Sequence, residues 1–326
     1  AGYLQFYFGG GTMPPKILVI VGPTASGKTR LAVELAHEWN GEVVSADSMQ
    51  VYRRMDIGTA KPTPEEMRGI PHHMLDVADP EEDFSVARYV ELAAPCVDDI
   101  LARGKLPIVA GGTGLYLDSL LSGRTFAPFS PDGGLRARLE ARFDALGGEA
   151  MLGELAAADP EAAARLHPND RKRIVRALEV FQQTGKTISQ HNRETRALPL
   201  RYDALTLSLA FQRREDMWAR IDRRVDEMMA AGLAEEVRAL LDSGVPVRCT
   251  AMQAIGYKEM AAALRGGGDV CAAAEEIKLR SRQYAKRQLT WFRRTEGAKW
   301  LFWGPEPDFE AACRTSTKYL EEFGLV

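Results

Sequence analysis

The sequence predicts an α/β fold: a parallel sheet with helices on both faces, entered through a phosphate-binding loop, and an all-helical domain inserted part-way along the chain. Three observations carry that prediction. An apolar run, Ile17 to Val21, leads into Gly22-Pro23-Thr24-Ala25-Ser26-Gly27-Lys28-Thr29 and then into a stretch with helical spacing. From Lys16 to about Ser122, short apolar runs alternate with helical stretches, as strands joined by crossover helices do. From Gly123 to Arg201 only helical periodicity remains, before another apolar run returns the chain to the sheet.

Residues 1–12, "AGYLQFYFGGGT", have neither a basic flank nor a cleavage pattern, and Met13-Pro14-Pro15-Lys16 reads like a natural start, so the leader is taken as an artefact. The first strand is Ile17 to Val21, followed by the helical "RLAVELAHEW". Val43 and Val44 within "GEVVSAD" mark a second strand, "VARYVELAAPCVDDILARG" a helix, and Pro107 to Ala110 within "LPIVAGG" a third strand. "FAPFSPDGG", 126–134, is rich in proline and glycine and marks a junction. Beyond it Leu135, Leu139, Phe143 and Leu146 share one helical face, and Ile174, Leu178 and Phe181 another. "ALTLSLAF", 204–211, reads as a buried strand; Trp218, Ile221, Val225 and Met228 then line one helix face, and "KWLFW", 299–303, is a last strand. The expected division is a core of 13–122 and 202–326 around an inserted domain of 123–201.

The 326 residues, 45% hydrophobic and 27% charged, fit an ordinary globular protein. With 42 basic and 45 acidic residues the net charge is −3, so attraction to nucleic acid must come from local clusters. Cys96, Cys249, Cys271 and Cys313 are too widely spaced to suggest a zinc site or a disulfide framework, which fits a reducing cytoplasm. Apolar runs fall well short of the roughly 18 residues a membrane span needs.

The G-x-x-x-x-G-K-T stretch between a strand and a helix is the strongest chemical signal. Its backbone N–H groups converge on phosphate oxygens, Lys28 adds a positive charge, and the Thr29 hydroxyl can bind a phosphate-bridging Mg²⁺. ATP-hydrolysing loops of this kind usually pair with a strand ending in a metal-binding aspartate. Here the strand ends in Gly111-Gly112-Thr113, which counts against ATPase chemistry; these glycines also suit a tight turn whatever the function. Asp47 falls beyond the carboxyl end of the second strand, where open α/β sheets bind ligands. From position alone it can be a general base, a helix N-cap or a carboxylate that holds a water of a bound Mg²⁺.

Arg220 and Arg224 share a helix face by spacing, and the bland alternative is a helix salt-bridged through Asp222, Asp226 and Glu227. Two clusters are basic: Arg171, Lys172, Arg173 and Arg176, and Lys278, Arg280, Arg282, Lys286, Arg287, Arg293 and Arg294 interleaved with Tyr284, Trp291 and Phe292. Such clusters neutralise phosphates and stack unpaired bases, although isolated charge runs are more often solvated faces. His72 and His73 read as packing and hydrogen-bonding residues, and Met228, Met229 and Met252 as core filler.

Taken together, "GPTASGKT" at 22–29, "SADSMQVYRRMDIGTAKP" at 45–62, "PHHMLD" at 71–76, "GGTGLY" at 111–116, "RKRIVRALEV" at 171–180 and "AKRQLTWFR" at 285–293 resemble the tRNA dimethylallyltransferases, also called tRNA isopentenyltransferases. The resemblance covers essentially everything after Met13. It implies a P-loop kinase-like core and transfer of a dimethylallyl group from dimethylallyl diphosphate to N6 of the adenosine just 3′ of the anticodon, releasing diphosphate. In that family's terms Gly22 to Thr29 cradle the diphosphate, Thr29 binds Mg²⁺, Asp47 is the general base and Thr113 positions the reacting amine or the diphosphate bridge. Arg224 matches the diphosphate-binding arginine, with Arg223 one position away. Asp47, Ser48, Met49 and Gln50, and Lys172, Arg173, Ile174, Val175 and Arg176, match segments that touch the tRNA anticodon stem-loop. A cytoplasmic monomer with no membrane association is expected. The rivals are an enzyme prenylating free adenine nucleotides, a small-molecule kinase, and a non-catalytic nucleotide-dependent RNA-binding protein.

Overall fold

The computed structural model describes residues 13–123, 126 and 134–326. The leader 1–12 and most of the proline- and glycine-rich junction lie outside the described residues. In chain order the first elements are β1 Lys16–Val21, α1 Lys28–Glu38, β2 Gly41–Ser45, α2 Pro64–Met67, β3 His72–His73, α3 Val86–Ala102, β4 Leu106–Gly111 and α4 Gly114–Leu121. Next come α5 Gly134–Leu146, α6 Gly148–Ala158, α7 Pro160–Ala163, α8 Arg171–Thr184 and α9 Ile188–Arg196. The remainder is β5 Asp203–Phe211, α10 Arg214–Ala230, α11 Leu233–Asp242, a 3-10 turn at Ala251–Gln253, α12 Tyr257–Gly266, α13 Val270–Phe292, β6 Lys299–Trp303 and α14 Phe309–Phe323. By contacts the chain divides into two compact units, one running to Leu121 and resuming at Arg201, the other Ser122–Leu200.

In the first unit the six strands form one parallel sheet, ordered β3-β2-β4-β1-β5-β6, with helices on both faces. Burial on both faces explains why β1 reads as an unbroken apolar run: Ile17 to Val21 are at most 2% exposed. Val21 pairs with Gly111 and Ser45 with Ala110, so β1, β2 and β4 end level with one another. Gly22, Ala46 and Gly112 therefore leave the sheet side by side at its carboxyl edge.

The two-residue β3 was not legible as a strand, because His72 and His73 carry no apolar pattern. Both histidines are held by hydrogen bonds: His72 Nδ1 lies 2.8 Å from Ile70 O and His73 Nε2 lies 2.8 Å from Glu42 Oε2. Glu42 is buried on β2, and the bidentate Arg103 guanidinium, with Lys105 and His73, holds its carboxyl far below the usual range.

The helical unit packs around Leu139, Met151, Leu155, Ile174 and Leu178. Asp159 ties α7 to α9 by accepting the N–H groups of Ala162 and Ser189, each at 3.0 Å. Of the face expected on α5, Leu139 is buried, Leu135 and Phe143 pack partly against it, and Leu146 is 56% exposed because the helix ends there. Among the described residues no helix is long and apolar enough to cross a membrane.

Candidate active site

The chain leaves β1 through Gly22 and becomes regular again at Lys28. Gly27 holds a left-handed φ of 83°, and α1 starts from it without a side-chain cap, leaving first-turn N–H groups open to an anion. A Cβ on Gly27 would come within 2.7 Å of the Phe309 ring, so conformation and space both require glycine. The Lys28 ammonium donates to Gly22 O at 3.0 Å and Pro23 O at 2.8 Å. Burial pushes its pKa down to about 8, opposed by the Asp47 charge and reinforced by Arg224. Thr24, Ala25, Ser26, Gly27, Lys28 and Thr29 line a cavity of about 850 Å³; Gly22 and Pro23 do not. Among the described residues the lining carries seven basic and four acidic side chains, a local bias toward anions in a chain whose net charge is −3.

Asp47 enters the same cavity from the loop after β2, together with Ser48, Met49 and Gln50. Its Oδ1 accepts the N–H groups of Met49 at 2.8 Å and Gln50 at 3.1 Å. The residue thus caps a turn rather than a helix, and those two bonds fix its carboxylate toward the lysine side. The Gln50 amide is spent inside the protein, donating to Thr59 O at 3.1 Å and Ala60 O at 3.2 Å.

Thr113 stands beside the cavity rather than in its wall. Its hydroxyl oxygen accepts the Ser48 N–H, and its own N–H donates to Ala46 O at 3.1 Å. The neighbouring glycines answer to close approach, not to positive φ. A Cβ on Gly111 would lie 2.2 Å from Ala46 O, one on Gly112 2.2 Å from Gln288 Nε2, and one on Gly114 2.3 Å from the Trp291 ring.

Helix α10 divides its arginines. Arg223 is exposed, with Glu227 at 3.9 Å and Glu306 at 3.7 Å. Arg220 donates to Ala25 O at 3.3 Å and reaches Glu306 at 3.4 Å. Arg224 forms no ion pair or hydrogen bond among the described residues, and burial lowers its pKa while Glu66, Glu227 and Asp47 act on it only from a distance. The salt-bridged alternative for this helix holds only for Arg223 and Glu227: Asp222 pairs with Arg282 and Asp226 with Lys278, both on α13. Met228 and Met229 are half-buried rather than core, and Met228 lines the cavity; Met252 is fully buried.

Those pairings remove Lys278 and Arg282 from the free charge of the C-terminal basic cluster, and Glu276 takes Arg280. Phe292, expected as a stacking face, is 2% exposed and belongs to the interior; Trp291 is 38% exposed. Lys286, Arg287, Arg293 and Arg294 remain exposed, and Arg287 also lines the cavity. In the helical unit, Ile174 and Val175 are core residues at 0% and 2% exposure, so their side chains offer nothing to a ligand. Arg176 pairs with buried Glu179 at 2.7 Å, and Arg171 with Asp144. Lys172 and Arg173 are the exposed members of that segment.

Two residues to which the sequence reading gave no role shape the site. Gln288 on α13 accepts the Thr24 N–H at 3.0 Å and donates to Gly112 O at 3.0 Å, bridging the loops after β1 and β4. Glu236 on α11 accepts three successive N–H groups, from Asp56 at 3.0 Å, Ile57 at 2.9 Å and Gly58 at 3.2 Å, and also the Tyr257 hydroxyl. That clamp fixes the loop whose Gly58, Thr59 and Ala60 form another wall of the cavity.

A family model described as IPP transferase matches residues 50–295, and one described as Isopentenyl transferase matches residues 15–82. The tRNA dimethylallyltransferase of Acetivibrio thermocellus is 46% identical over 309 residues, spanning 95% of this chain and 98% of the relative. Among solved structures, the tRNA delta(2)-isopentenylpyrophosphate transferase of Staphylococcus epidermidis aligns with a TM-score of 0.68 at 41% identity, over 94% of this chain and 99% of that one. A eukaryotic dimethylallyltransferase acting on tRNA aligns with a TM-score of 0.79 at 30% identity, over 94% and 78%.

Proposed function

This chain belongs to the IPP transferase family, and from that premise we propose that it transfers a dimethylallyl group from dimethylallyl diphosphate to N6 of the adenosine 3′-adjacent to the tRNA anticodon. The observation that carries the reading is one cavity lined by the phosphate loop, Asp47 and the unpaired Arg224.

The N6 lone pair attacks C1 of the donor, the C1–O bond breaks, and its electrons leave on diphosphate. Lys28, the open N–H groups at the start of α1 and Arg224 stabilise the charge that grows there. The N6 proton passes to Asp47, whose other oxygen already holds two backbone amides; an adenine amine needs such a base because its lone pair is delocalised into the ring. The cavity is of the size that encloses a small ligand, within the roughly 300–1,000 Å³ of ligand sites. Thr29 supplies a hydroxyl at the first turn of α1 in the cavity wall, a donor set that suits Mg²⁺, which keeps several waters and binds through few protein oxygens plus substrate phosphates. When bound there the ion would neutralise diphosphate charge. Lys172 and Arg173 in the helical unit, and Lys286, Arg287, Arg293 and Arg294 near the end of α13, are the exposed cations offered to tRNA phosphates. A cytoplasmic, monomeric protein accompanies this reading.

Incubation with labelled dimethylallyl diphosphate and unmodified tRNA, with free AMP in parallel, tests it. Label in tRNA is expected. Label in AMP alone moves the activity to free nucleotides, and label in neither, with nucleotide bound, leaves a kinase or a binding protein.

A further inference from the structure

We propose that Gln288 is a positioning residue that sets the separation between the leaving-group cradle and the acceptor side of the site; this rests on the transfer reading above. The residue sits on α13 with 6% exposure and does not face solvent. Its amide acts in both directions, accepting from Thr24 N in the phosphate loop and donating to Gly112 O in the loop after β4. Gly112 leads directly to Thr113, which accepts the Ser48 N–H beside Asp47. Hydrogen bonds and two stretches of backbone thus connect the anion cradle, through one side chain, to the residue placed as base.

Only a side-chain amide of this length serves both loops. A carboxylate at 288 would keep the bond from Thr24 but set an oxygen against the Gly112 carbonyl, and asparagine is one methylene too short to span the gap. The approach is already close enough that a Cβ on Gly112 would lie 2.2 Å from the Gln288 nitrogen. The amide also takes the Thr24 N–H away from the phosphate cradle, so that loop N–H serves geometry rather than anion binding. Tyr284, one turn earlier on α13, directs its hydroxyl toward Thr113 and Gln288, and Trp291, three residues later, packs against Gly114. The stripe 284, 288 and 291 fits the helix onto the Gly112-Thr113-Gly114 loop.

Gln288 lies in the cavity wall, but both ends of its amide are spent on the two loops, so its loss should affect turnover more than binding. Gln288→Glu and Gln288→Asn are measured beside the wild-type protein in the labelled-donor tRNA assay, with thermal midpoints recorded. Expected is a fall in kcat of roughly 10²-fold, the scale of a misplacement near 1 Å, with KM for donor and for tRNA each within about threefold of wild type. Gln288→Glu preserves volume and one of the two bonds, so it keeps the test alive if the shorter side chain unfolds the protein. A fall in kcat/KM carried by KM, or unchanged turnover in a folded variant, would overturn the assignment while leaving the transfer reading intact. A wild-type protein inactive on tRNA would overturn both.

Discussion

Thr113 accepts the backbone N–H of Ser48 on its hydroxyl oxygen at 3.0 Å, so the loop after β4 braces the loop that carries Asp47. The brace and the two amides on Asp47 Oδ1 hold the carboxylate independently of any substrate. Asparagine at 47 can accept the same two amides through its own oxygen but cannot take a proton. Asp47→Asn is therefore expected to fold normally and bind diphosphate within about threefold of wild type, while turnover on tRNA falls by roughly 10²-fold or more. Near-normal turnover would remove Asp47 from the base role.

The two adjacent arginines on α10 separate by their surroundings. Both line the cavity, but Arg224 has no carboxylate partner among the described residues, whereas Arg223 spends its charge on Glu227 and Glu306. A charge-assisted bond to the donor contributes roughly 1.5–3 kcal/mol, so Arg224→Gln is expected to raise the donor KM about 10- to 100-fold. Arg223→Gln, at a residue whose charge is already engaged by two exposed carboxylates, should change it less than about threefold. Steady-state kinetics at saturating tRNA separates the two; equal effects would contradict the division.

Lys28 gives the site a pH signature. With its pKa lowered to about 8 by burial, the free protein carries a charged lysine below that value and a neutral one above it. An anion favours the charged form, so donor affinity should hold steady up to the neighbourhood of pH 8. Above it affinity should decline by up to roughly tenfold per unit until the raised pKa of the complex is reached. Calorimetry in buffers of different ionisation enthalpy should register proton uptake at alkaline pH, and Lys28→Met should abolish it. Uptake that persists in Lys28→Met would assign the proton elsewhere.

For nucleic acid, the exposed pair and the buried pair in α8 behave differently. Lys172 is exposed, and Arg173 is exposed with only Asp170 at 3.9 Å, so replacing both with alanine is expected to weaken tRNA binding and flatten its salt dependence. Arg176 is paired with Glu179, a carboxylate only 1% exposed, so Arg176→Ala should lower the thermal midpoint first. An unchanged salt slope in the Lys172/Arg173 double variant would return that segment to a solvated helix face.

How much of this was legible follows from what each residue contacts. Strands β1, β2, β4 and β5 announced themselves because the parallel sheet buries their apolar runs, β6 by its aromatic residues although Phe302 is 56% exposed at the sheet edge, and the phosphate loop because glycine, lysine and threonine are fixed by spacing along the chain. β3 was hidden because two histidines form it, held by pairing with Val43 and Val44. Ile174 and Leu178 were readable as one buried helix face, a periodicity that outweighs the basic motif around them and explains why Ile174 and Val175 face the core. Gln288 and Glu236 look like ordinary polar residues on helices; their partners are backbone groups of distant loops, which no local pattern encodes. Telling Arg223 from Arg224 likewise needed side-chain positions: Glu227 of the same helix and Glu306 from beyond β6 approach the first and not the second.

The central claim is that the lysine-bearing loop holds an allylic diphosphate while Asp47 frees an adenine nitrogen. Nuclease digestion and mass spectrometry of tRNA after incubation with the protein, Mg²⁺ and dimethylallyl diphosphate tests it most directly. One dimethylallyl group on N6 of the adenosine just 3′ of the anticodon, matched by released diphosphate, is the predicted result. Unaltered tRNA, with ATP consumed and its phosphoryl group recovered on a small molecule, would contradict the account.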